Sequence, residues 1–331
     1  MVPFNYLKVT NADEASAHFS KNSNAEFIAG GTNLIDLMKE NVARPDTLID
    51  INKIESIQSI TELADGGLRL GALVKNADTA YNERVRKQYP LLSQAILAGA
   101  SAQLRNMASN GGNLLQRTRC YYFYDTATPC NKRAPGTGCS AIGGYNRIHA
   151  VLGTSKDCIA VFPSDMCVAL AALNARVNIH GLEGGRVIDF IDFHRLPGDT
   201  PNQDNNLKKG DLITSIDLPD ESFDFHYSYL KLRDRSSYAF ALVSVAAAFK
   251  LEDGLIRDAR LALGGVAHKP WRNREAEDFM IGKEPNSMIF SQVASIILDE
   301  AAGFEHNTFK IELTRRAIIK NCLTAVNKER I

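Results

Sequence analysis

Short apolar runs alternate with helical patterns over the first two thirds of the chain. The apolar residues of segment 34–38 recur at the spacing of one helix face, and they directly follow an apolar run, 25–29, that is typical of a buried strand. Asn76 is a candidate N-cap for a helix over 77–85. The other predicted strands lie at 47–51, 68–73, 175–179 and 212–218, and the other predicted helices at 14–19, 89–98 and 166–173.

The pattern changes near residue 222. Three strand-like runs at 225–233, 239–250 and 257–263 are followed by two helical stretches around 291–302 and 309–328. Strands followed by helices predict a separate α+β domain in this part of the chain. With 331 residues, the chain is long enough for such a division, with a hydrophobic core in each part.

Composition excludes several classes of protein. Lys plus Arg equals Asp plus Glu, 38 each, so the net charge is zero and neither nucleic acid nor an anionic membrane is expected as the main partner. No secretory signal is predicted, because no basic segment precedes an apolar one, and the apolar runs are too short to span a membrane. Six cysteines are too few for a disulfide scaffold.

Two Gly-Gly pairs are the first candidates for ligand binding. Gly30 and Gly31 end a predicted strand ahead of a helix, where backbone N–H groups can bind an anion; a plain tight turn is the alternative. Gly111 and Gly112 form a second such turn, and the two loops together can embrace a pyrophosphate. The chain has neither the dinucleotide-binding G-x-G-x-x-G motif nor a P-loop.

The cysteines are a stronger signal. Five of them lie between residues 109 and 167, in a region rich in glycine, proline and polar residues. Four soft thiolates suit a [4Fe–4S] cluster or zinc, with free loop thiols as the alternative. Cys167 and Cys322 lie on apolar helix faces and are expected to be buried small hydrophobes. The candidate metal ligands are Cys120, Cys130, Cys139 and Cys158.

Charged neighbours bear on these thiols. Arg119, Lys132 and Arg133 are expected to lower the thiol pKa values and to offset the charge of an anionic cluster. His149 is the one alternative metal ligand nearby. No histidine pairs with a serine or an acid at a spacing typical of a nucleophilic or hydrolytic site, so no catalytic residue is predicted.

These motifs resemble the FAD-binding medium subunit of molybdenum hydroxylases, the xanthine dehydrogenase and aldehyde oxidoreductase family. The resemblance rests on segment 27–34, on Gly111-Gly112-Asn113 and on Ser164-Asp165, and it continues through 233–244 and 264–271. Segment 117–133, with its cysteines, is similar to the bacterial periplasmic aldehyde oxidoreductase type, whose flavin subunit carries an extra [4Fe–4S] cluster.

The resemblance implies an α+β fold. Residues 1–221 would form a two-lobed FAD-binding region of the vanillyl-alcohol-oxidase (PCMH) type, with lobes at about 1–55 and 56–221 and a [4Fe–4S] insertion at 117–160. Residues 222–331 would form a C-terminal α+β domain of the CO-dehydrogenase flavoprotein type. FAD would lie extended between the lobes.

The resemblance also assigns residues to FAD. Segment 26–34 would wrap the diphosphate mostly through backbone N–H groups, and Asp165, otherwise a helix cap, would bind the adenosine ribose. The backbone of Ile213 would contact the isoalloxazine, and Lys231, otherwise a solvated cation, would lie near the flavin ring. Asn110 stands where the family often has Ile or Ala. The expected FAD-binding residues are Glu26, Phe27, Ile28, Ala29, Gly30, Gly31, Thr32, Asn33, Leu34, Ser109, Gly112, Asn113, Asp165, Ile213 and Lys231.

The implied role is electron transfer, which accounts for the missing acid–base pair. In the family, a large subunit with the molybdenum cofactor hydroxylates an aldehyde, and electrons pass through two [2Fe–2S] clusters of a small subunit to FAD and on to an external acceptor. The chain is therefore expected in a heterotrimer, either in the cytoplasm or co-exported to the periplasm with a signal-bearing partner.

Two alternatives stay open from the sequence. One is the flavin subunit of a xanthine dehydrogenase or hydroxybenzoyl-CoA reductase type complex. The other is a zinc-binding protein with no redox role.

Overall fold

The computed structural model describes residues 1–221 and 223–328 as helices and three separate sheets. The strands are β1 Asn5–Lys8, β2 Ala25–Ile28, β3 Thr47–Asp50, β4 Ile60–Glu62, β5 Leu68–Gly71, β6 Arg176–Gly181, β7 Gly184–Asp189, β8 Leu212–Leu218, β9 His226–Leu232, β10 Val243–Glu252, β11 Leu255–Gly264 and β12 Trp271–Arg272. The helices are α1 Ala12–Lys21, α2 Leu34–Lys39, α3 Asn76–Tyr81, α4 Glu83–Gln88, α5 Pro90–Ala98, α6 Ala102–Arg105, α7 Asn110–Leu114, α8 Tyr121–Tyr124, α9 Asp165–Ala172, α10 Phe190–Phe193, α11 Arg274–Met280, α12 Ser287–Ile297 and α13 Phe309–Val326. Ser222 and residues 329–331, which end the predicted C-terminal domain, lie outside the described residues.

The first two sheets share one hydrophobic core. Strands β1, β3 and β2 form a parallel sheet in that order, and β4-β5-β8-β6-β7 form an antiparallel one. Ile49 of the first sheet and Ile216 of the second are both fully buried in the same cluster of apolar side chains. The two sheets are therefore packed together, and the division into lobes at about residue 55 stays a prediction.

The third sheet is buried on both faces. Its strands run antiparallel in the order β12-β11-β10-β9. Along β10, Val245 and Phe249 lie in the core formed with α12 and α13, whereas Ala246 and Ala248 join the core of the first two sheets. Because alternate residues of a strand face opposite sides, the alanines let α9 approach one face closely. The α+β prediction is confirmed.

One predicted helix is broken in two. Residues 77–85 were expected to form a single helix capped by Asn76, but α3 starts at Asn76 and ends at Tyr81. Asn82 has extended backbone angles and its side chain accepts hydrogen bonds from Arg84 N and Val85 N, at 3.0 and 3.2 Å, so it caps α4 instead. The Asn76 side chain is buried and belongs to a polar network described below.

The cysteine segment, residues 117–160, has little regular structure. It contains the single turn of α8, and a small apolar cluster holds it against the rest of the molecule. This cluster joins Phe123 and Ile159 of the segment to Leu37 of α2. No helix among residues 1–221 and 223–328 is long and apolar enough to cross a bilayer.

Candidate functional site

The glycine turn, residues 30–34, connects β2 to α2 and exposes a row of backbone donors. Within the described part of the chain, none of the N–H groups of Gly30, Gly31, Thr32, Asn33 and Leu34 donates a hydrogen bond. Successive free N–H groups in a tight turn form a concave site that suits a phosphate. Because α2 is only six residues long, the individual N–H groups matter here more than a helix dipole.

Gly30 lies in contact with the segment that leads to the second glycine pair. A Cβ at this position would lie 2.0 Å from Met107 O, a backbone atom. Gly31 has a φ of +70°, a conformation that strains other residues. Gly30 is therefore required because the backbone at Met107 lies so close, and Gly31 is required because of its positive φ.

Asn33 and Glu26 both lie near Arg117. Asn33 Oδ1 accepts a hydrogen bond from Arg117 N at 3.0 Å, whereas its buried Nδ2 has no partner among the described residues. The Glu26 residue is exposed to solvent, yet neighbouring atoms partly desolvate its carboxyl. This partial desolvation raises the pKa of its carboxyl, and the Arg117 charge offsets only part of the rise. Arg117 was not predicted as a site residue, and only the fold brings it here.

The second glycine pair is part of a short helix, α7, and not of a turn. Asn110 N donates to Val74 O at 2.9 Å and Gly111 N to Ala72 O at 2.8 Å. Gly112 N is bonded to Ser109 Oγ at 3.3 Å, which is long for such a bond. The expectation of a second turn with free backbone donors is therefore wrong at Asn110 and Gly111. The side chain that α7 leaves open to a ligand is that of Asn113, which is half-exposed.

Asp165 and Lys231 form a buried ion pair between α9 and β9. Lys231 Nζ donates to Asp165 Oδ2 at 2.8 Å, and Tyr229 OH donates to Asp165 Oδ1 at 2.7 Å. Ser164 caps α9 by accepting from Cys167 N at 3.0 Å, so the Asp165 carboxylate is not needed for that task. Burial, followed by the Asp165 charge, raises the pKa of Tyr229 well above its usual value.

This ion pair brings together two residues that the sequence assigned to opposite ends of FAD. An adenosine ribose and an isoalloxazine are far apart in an extended cofactor, so the contacting side chains of Asp165 and Lys231 can face only one part of it. Tyr229 was missed, although it lies two residues from Lys231 on one strand and therefore on the same face.

Ile213 lies in β8 with its side chain in the core. The adjacent Thr214 O accepts from Ala72 N at 2.9 Å, and Ala72 O accepts from Gly111 N. The backbone next to Ile213 is thus connected to α7 through two successive hydrogen bonds.

The four predicted ligand thiols share one small enclosed cavity. Cys130 and Cys139 face each other across an antiparallel backbone bridge, and Lys132 also contributes to the wall. The cysteines that line this cavity are Cys120, Cys130, Cys139 and Cys158. Cys167 and Cys322 are fully buried in the two large cores, as predicted.

Burial controls the protonation of the cavity thiols. It raises the pKa of Cys120 to about 12 and that of Cys158 to about 11, although the Lys132 charge lowers the latter. Lys132 therefore acts on Cys158 in the expected direction, but burial outweighs its charge, and burial is also the main influence on the pKa of Cys120.

The basic neighbours have other partners instead. Arg119 pairs with Asp36 at 2.8 Å, and Arg133 donates to Tyr122 O and to Phe123 O, each at 2.8 Å. Lys132 forms a buried ion pair with Asp204 of the loop before β8. The three basic side chains therefore mainly hold the cysteine segment in place, and their charges are largely used in these contacts.

His149 contacts one thiol but does not complete a single-ion site. Its Nε2 lies 3.1 Å from Cys120 Sγ, and burial lowers the histidine pKa to about 4. In the described residues, no three His, Cys, Asp or Glu side chains are grouped so that they could hold one metal ion. A [4Fe–4S] cluster contains four irons and takes one thiolate at each, so its ligands spread around a larger volume.

Helix α2 connects the glycine turn to the cysteine cavity. Asp36 accepts hydrogen bonds from Arg119 at 2.8 Å and from Tyr124 OH at 2.9 Å. On the next residue, the Leu37 side chain packs in the same apolar cluster as Cys120 and Cys130. One short helix is therefore both the continuation of the glycine turn and part of the support of the cavity.

Comparisons with known families cover nearly the whole chain. Residues 2–221 match the FAD binding domain in molybdopterin dehydrogenase, and residues 227–321 match the CO dehydrogenase flavoprotein C-terminal domain. The chain is 49% identical to the aldehyde oxidoreductase FAD-binding subunit PaoB of Escherichia coli over 323 residues, 96% of each chain. It is 30% identical to the glyceraldehyde dehydrogenase medium chain of Sulfolobus acidocaldarius, over 88% of this chain and 86% of that one.

Solved structures share the fold at lower identity. A carbon monoxide dehydrogenase chain from Hydrogenophaga pseudoflava superposes with a TM-score of 0.77 at 22% identity, covering 98% of this chain and 99% of that one. A quinoline 2-oxidoreductase chain from Pseudomonas putida 86 gives 0.75 at 21% identity, covering 98% and 97%.

Proposed function

Because the chain belongs to the FAD-binding subunits of molybdenum hydroxylases, we propose that it is the FAD- and [4Fe–4S]-containing electron-transfer subunit of a molybdenum-dependent aldehyde oxidoreductase. The aldehyde class is favoured over the xanthine dehydrogenase alternative by identity, 49% against 20% for an E. coli xanthine dehydrogenase FAD-binding subunit. Family membership also disfavours the zinc-binding protein without a redox role.

The described residues fit FAD. The free N–H groups of the glycine turn and the unpartnered Asn33 Nδ2 are the donors that a diphosphate needs. Segment 26–34 would hold the diphosphate, with Asn113, Ser109 and the shared Gly112 N–H completing the cradle. We assign Asp165 and Lys231, as an ion pair, to one end of the cofactor, and the backbone of Ile213 to the flavin ring.

The observation that carries the two-cofactor proposal is the position of α2. The helix that continues the glycine turn also packs beside Cys120 and Cys130, so an FAD site and the cysteine cavity share one element. The four cavity thiols would hold the [4Fe–4S] cluster. The raised pKa values of Cys120 and Cys158 mean that these two thiols would release protons when the metal binds.

The proposed complex is a heterotrimer with a small [2Fe–2S] subunit and a large molybdenum-cofactor subunit. When bound, FAD supplies the electron transfer between the [2Fe–2S] clusters and an external acceptor. This chain contributes binding, orientation and electrostatics. Within it, we propose an FAD-binding domain at 1–221, with the cluster insertion at 117–160, and a C-terminal domain at 222–331.

Purification of the complex with its partner subunits tests the proposal. We expect a flavin spectrum, about four irons beyond those of the small subunit, and reduction of an added acceptor by a panel of aldehydes. Flavin without the additional iron would remove the cluster from the proposal. Turnover of purines but not of aldehydes would favour the xanthine dehydrogenase alternative, and cell fractionation would distinguish co-export from retention in the cytoplasm.

A further inference from the structure

A row of buried amide side chains lies beneath α7, and we call it the amide relay. It consists of Asn76, Asn110 and Asn113, which lie at the start of α3 and on α7. Asn76 and Asn110 are almost completely shielded from solvent, and Asn113 is half-exposed. The relay thus runs from the protein interior to the proposed FAD site.

Along the relay each amide nitrogen donates to the next residue, and Thr79 Oγ1 also donates back to Asn110 Oδ1 at 3.0 Å. Asn113 Nδ2 donates to Asn76 Oδ1 at 2.7 Å, Asn76 Nδ2 donates to Asn110 Oδ1 at 3.1 Å, and Asn110 Nδ2 donates to Thr79 Oγ1 at 2.9 Å. At the other end, Ser164 Oγ donates to Asn113 Oδ1 at 2.6 Å. This pattern fixes each amide in one orientation, because a flip would oppose two donors or two acceptors.

Backbone bonds hold the relay rigid. Asn76 N donates to Ala108 O at 2.8 Å, and Asn110 N donates to Val74 O at 2.9 Å. The backbone around the start of α3 and the backbone around the start of α7 are therefore joined by two hydrogen bonds, which hold the side chains of Asn76 and Asn110 next to each other. Asn110 stands where the family often has Ile or Ala. Its buried polar side chain is accommodated because both its oxygen and its nitrogen form hydrogen bonds with Thr79 Oγ1.

The relay determines what Asn113 can offer a ligand. Its Oδ1 accepts from Ser164 and from Gln116, at 2.6 and 2.8 Å, so both lone pairs are occupied. Its Nδ2 has two hydrogens, and Asn76 takes one of them. Asn113 is thereby left with one N–H donor, which suits an anionic or carbonyl oxygen.

We propose that Asn76 is a positioning residue for FAD, which acts by holding the Asn113 amide with its remaining donor available to the cofactor. The inference rests on the proposed binding of FAD at the glycine turn and α7. Asn76 itself need not touch FAD, because its effect passes through Asn113.

A double-mutant cycle on FAD affinity tests this. FAD is removed from the purified complex, and rebinding to wild type, Asn76→Ala, Asn113→Ala and the double variant is followed by flavin fluorescence. We expect each single change to weaken binding about tenfold, the effect of one lost hydrogen bond to a charged group. If Asn76 acts through Asn113, the double variant is also weakened only about tenfold. A loss near 100-fold, the product of the two, would overturn the inference.

Two further variants separate positioning from general damage. Ser93→Ala is the matched control, because it removes a buried hydrogen bond that lies outside the relay. This bond, from Ser93 Oγ to Ala80 O, is 2.7 Å long, like the bond from Asn113 to Asn76. The Ser93→Ala variant should keep the FAD affinity of wild type. Asn76→Asp keeps an oxygen facing Asn113 Nδ2 and should bind FAD within about threefold of wild type. If the Asn76→Ala complex does not assemble, Asn76→Asp alone decides, and a tenfold loss of FAD affinity in that variant would count against the inference, because the oxygen that holds Asn113 is still present. If wild type itself fails to bind FAD, the proposed function fails instead.

Discussion

Replacing Gly30 by alanine perturbs the contact between the glycine turn and the segment before α7. The added Cβ would fall 2.0 Å from Met107 O and 2.7 Å from its carbonyl carbon, and both are backbone atoms. The two segments must separate by about 1 Å to relieve this overlap, because packed backbone cannot yield as a side chain can. Loss of one hydrogen bond between the turn and a phosphate costs about 2 kcal/mol, so the FAD dissociation constant should rise about 30-fold.

The assay is FAD rebinding to the complex, together with its melting temperature. Gly143→Ala is the matched control, because that glycine has no heavy atom within 4 Å of an added Cβ and no positive φ. Gly30→Ala should lose FAD affinity while Gly143→Ala keeps it. Equal affinity in both variants would refute the assignment of the diphosphate to the glycine turn.

Three further predictions address the other parts of the site. Cys130→Ser should lose the additional iron while Cys167→Ser, in the large core, retains it; equal iron loss from both would contradict the ligand set. Asp165→Ala should lower flavin content and melting temperature, because it leaves Lys231 buried without its partner, and Asp165→Ala with Lys231→Met should recover part of the melting temperature but not the flavin. Burial alone would raise the pKa of Asp204, but Lys132 and Arg117 hold it well below its ordinary value. The ionised Asp204 should therefore stabilise the fold fully above about pH 4, and this contribution should fade as the pH falls further. We expect urea unfolding to show a lower free energy of unfolding for Asp204→Asn than for wild type. This difference should be constant from about pH 5 to 8 and should shrink in acid. A difference that grows in acid would contradict this.

Strands with a clear apolar pattern could be predicted from the sequence. Strand β8 begins and ends at the predicted residues, Leu212–Leu218, because its alternation is regular and turn residues bound it. Strand β1 was missed, since most of its four residues are exposed and carry no apolar signal. The break between α3 and α4 was also missed: Asn82 interrupts a continuous helical pattern by capping the following helix, and periodicity does not detect such a cap.

The candidate site was predictable as a set of motifs but not as a set of contacts. Gly-Gly pairs and clustered cysteines are visible in the sequence, whereas the pairing of Asp165 with Lys231 joins residues 66 positions apart. The bond from Asn113 to Asn76 likewise spans 37 positions. Such contacts depend on how sheets and helices stack, and the residue types involved are ordinary on their own.

The cysteine segment is held by protein groups on both sides of its cavity. On one side, Asp36 of α2 binds Arg119 at 2.8 Å. On the other, Lys310 donates to His149 O at 2.7 Å and Asn307 donates to Ala150 O at 3.1 Å, which fastens the end of the segment to the C-terminal helices. In small metal-binding modules the metal supplies the folding energy. Here protein groups also support the wall of the cavity, and the wall rests on the same helix as the glycine turn. A cluster bound by these thiols would therefore lie beside the helix that continues the glycine turn.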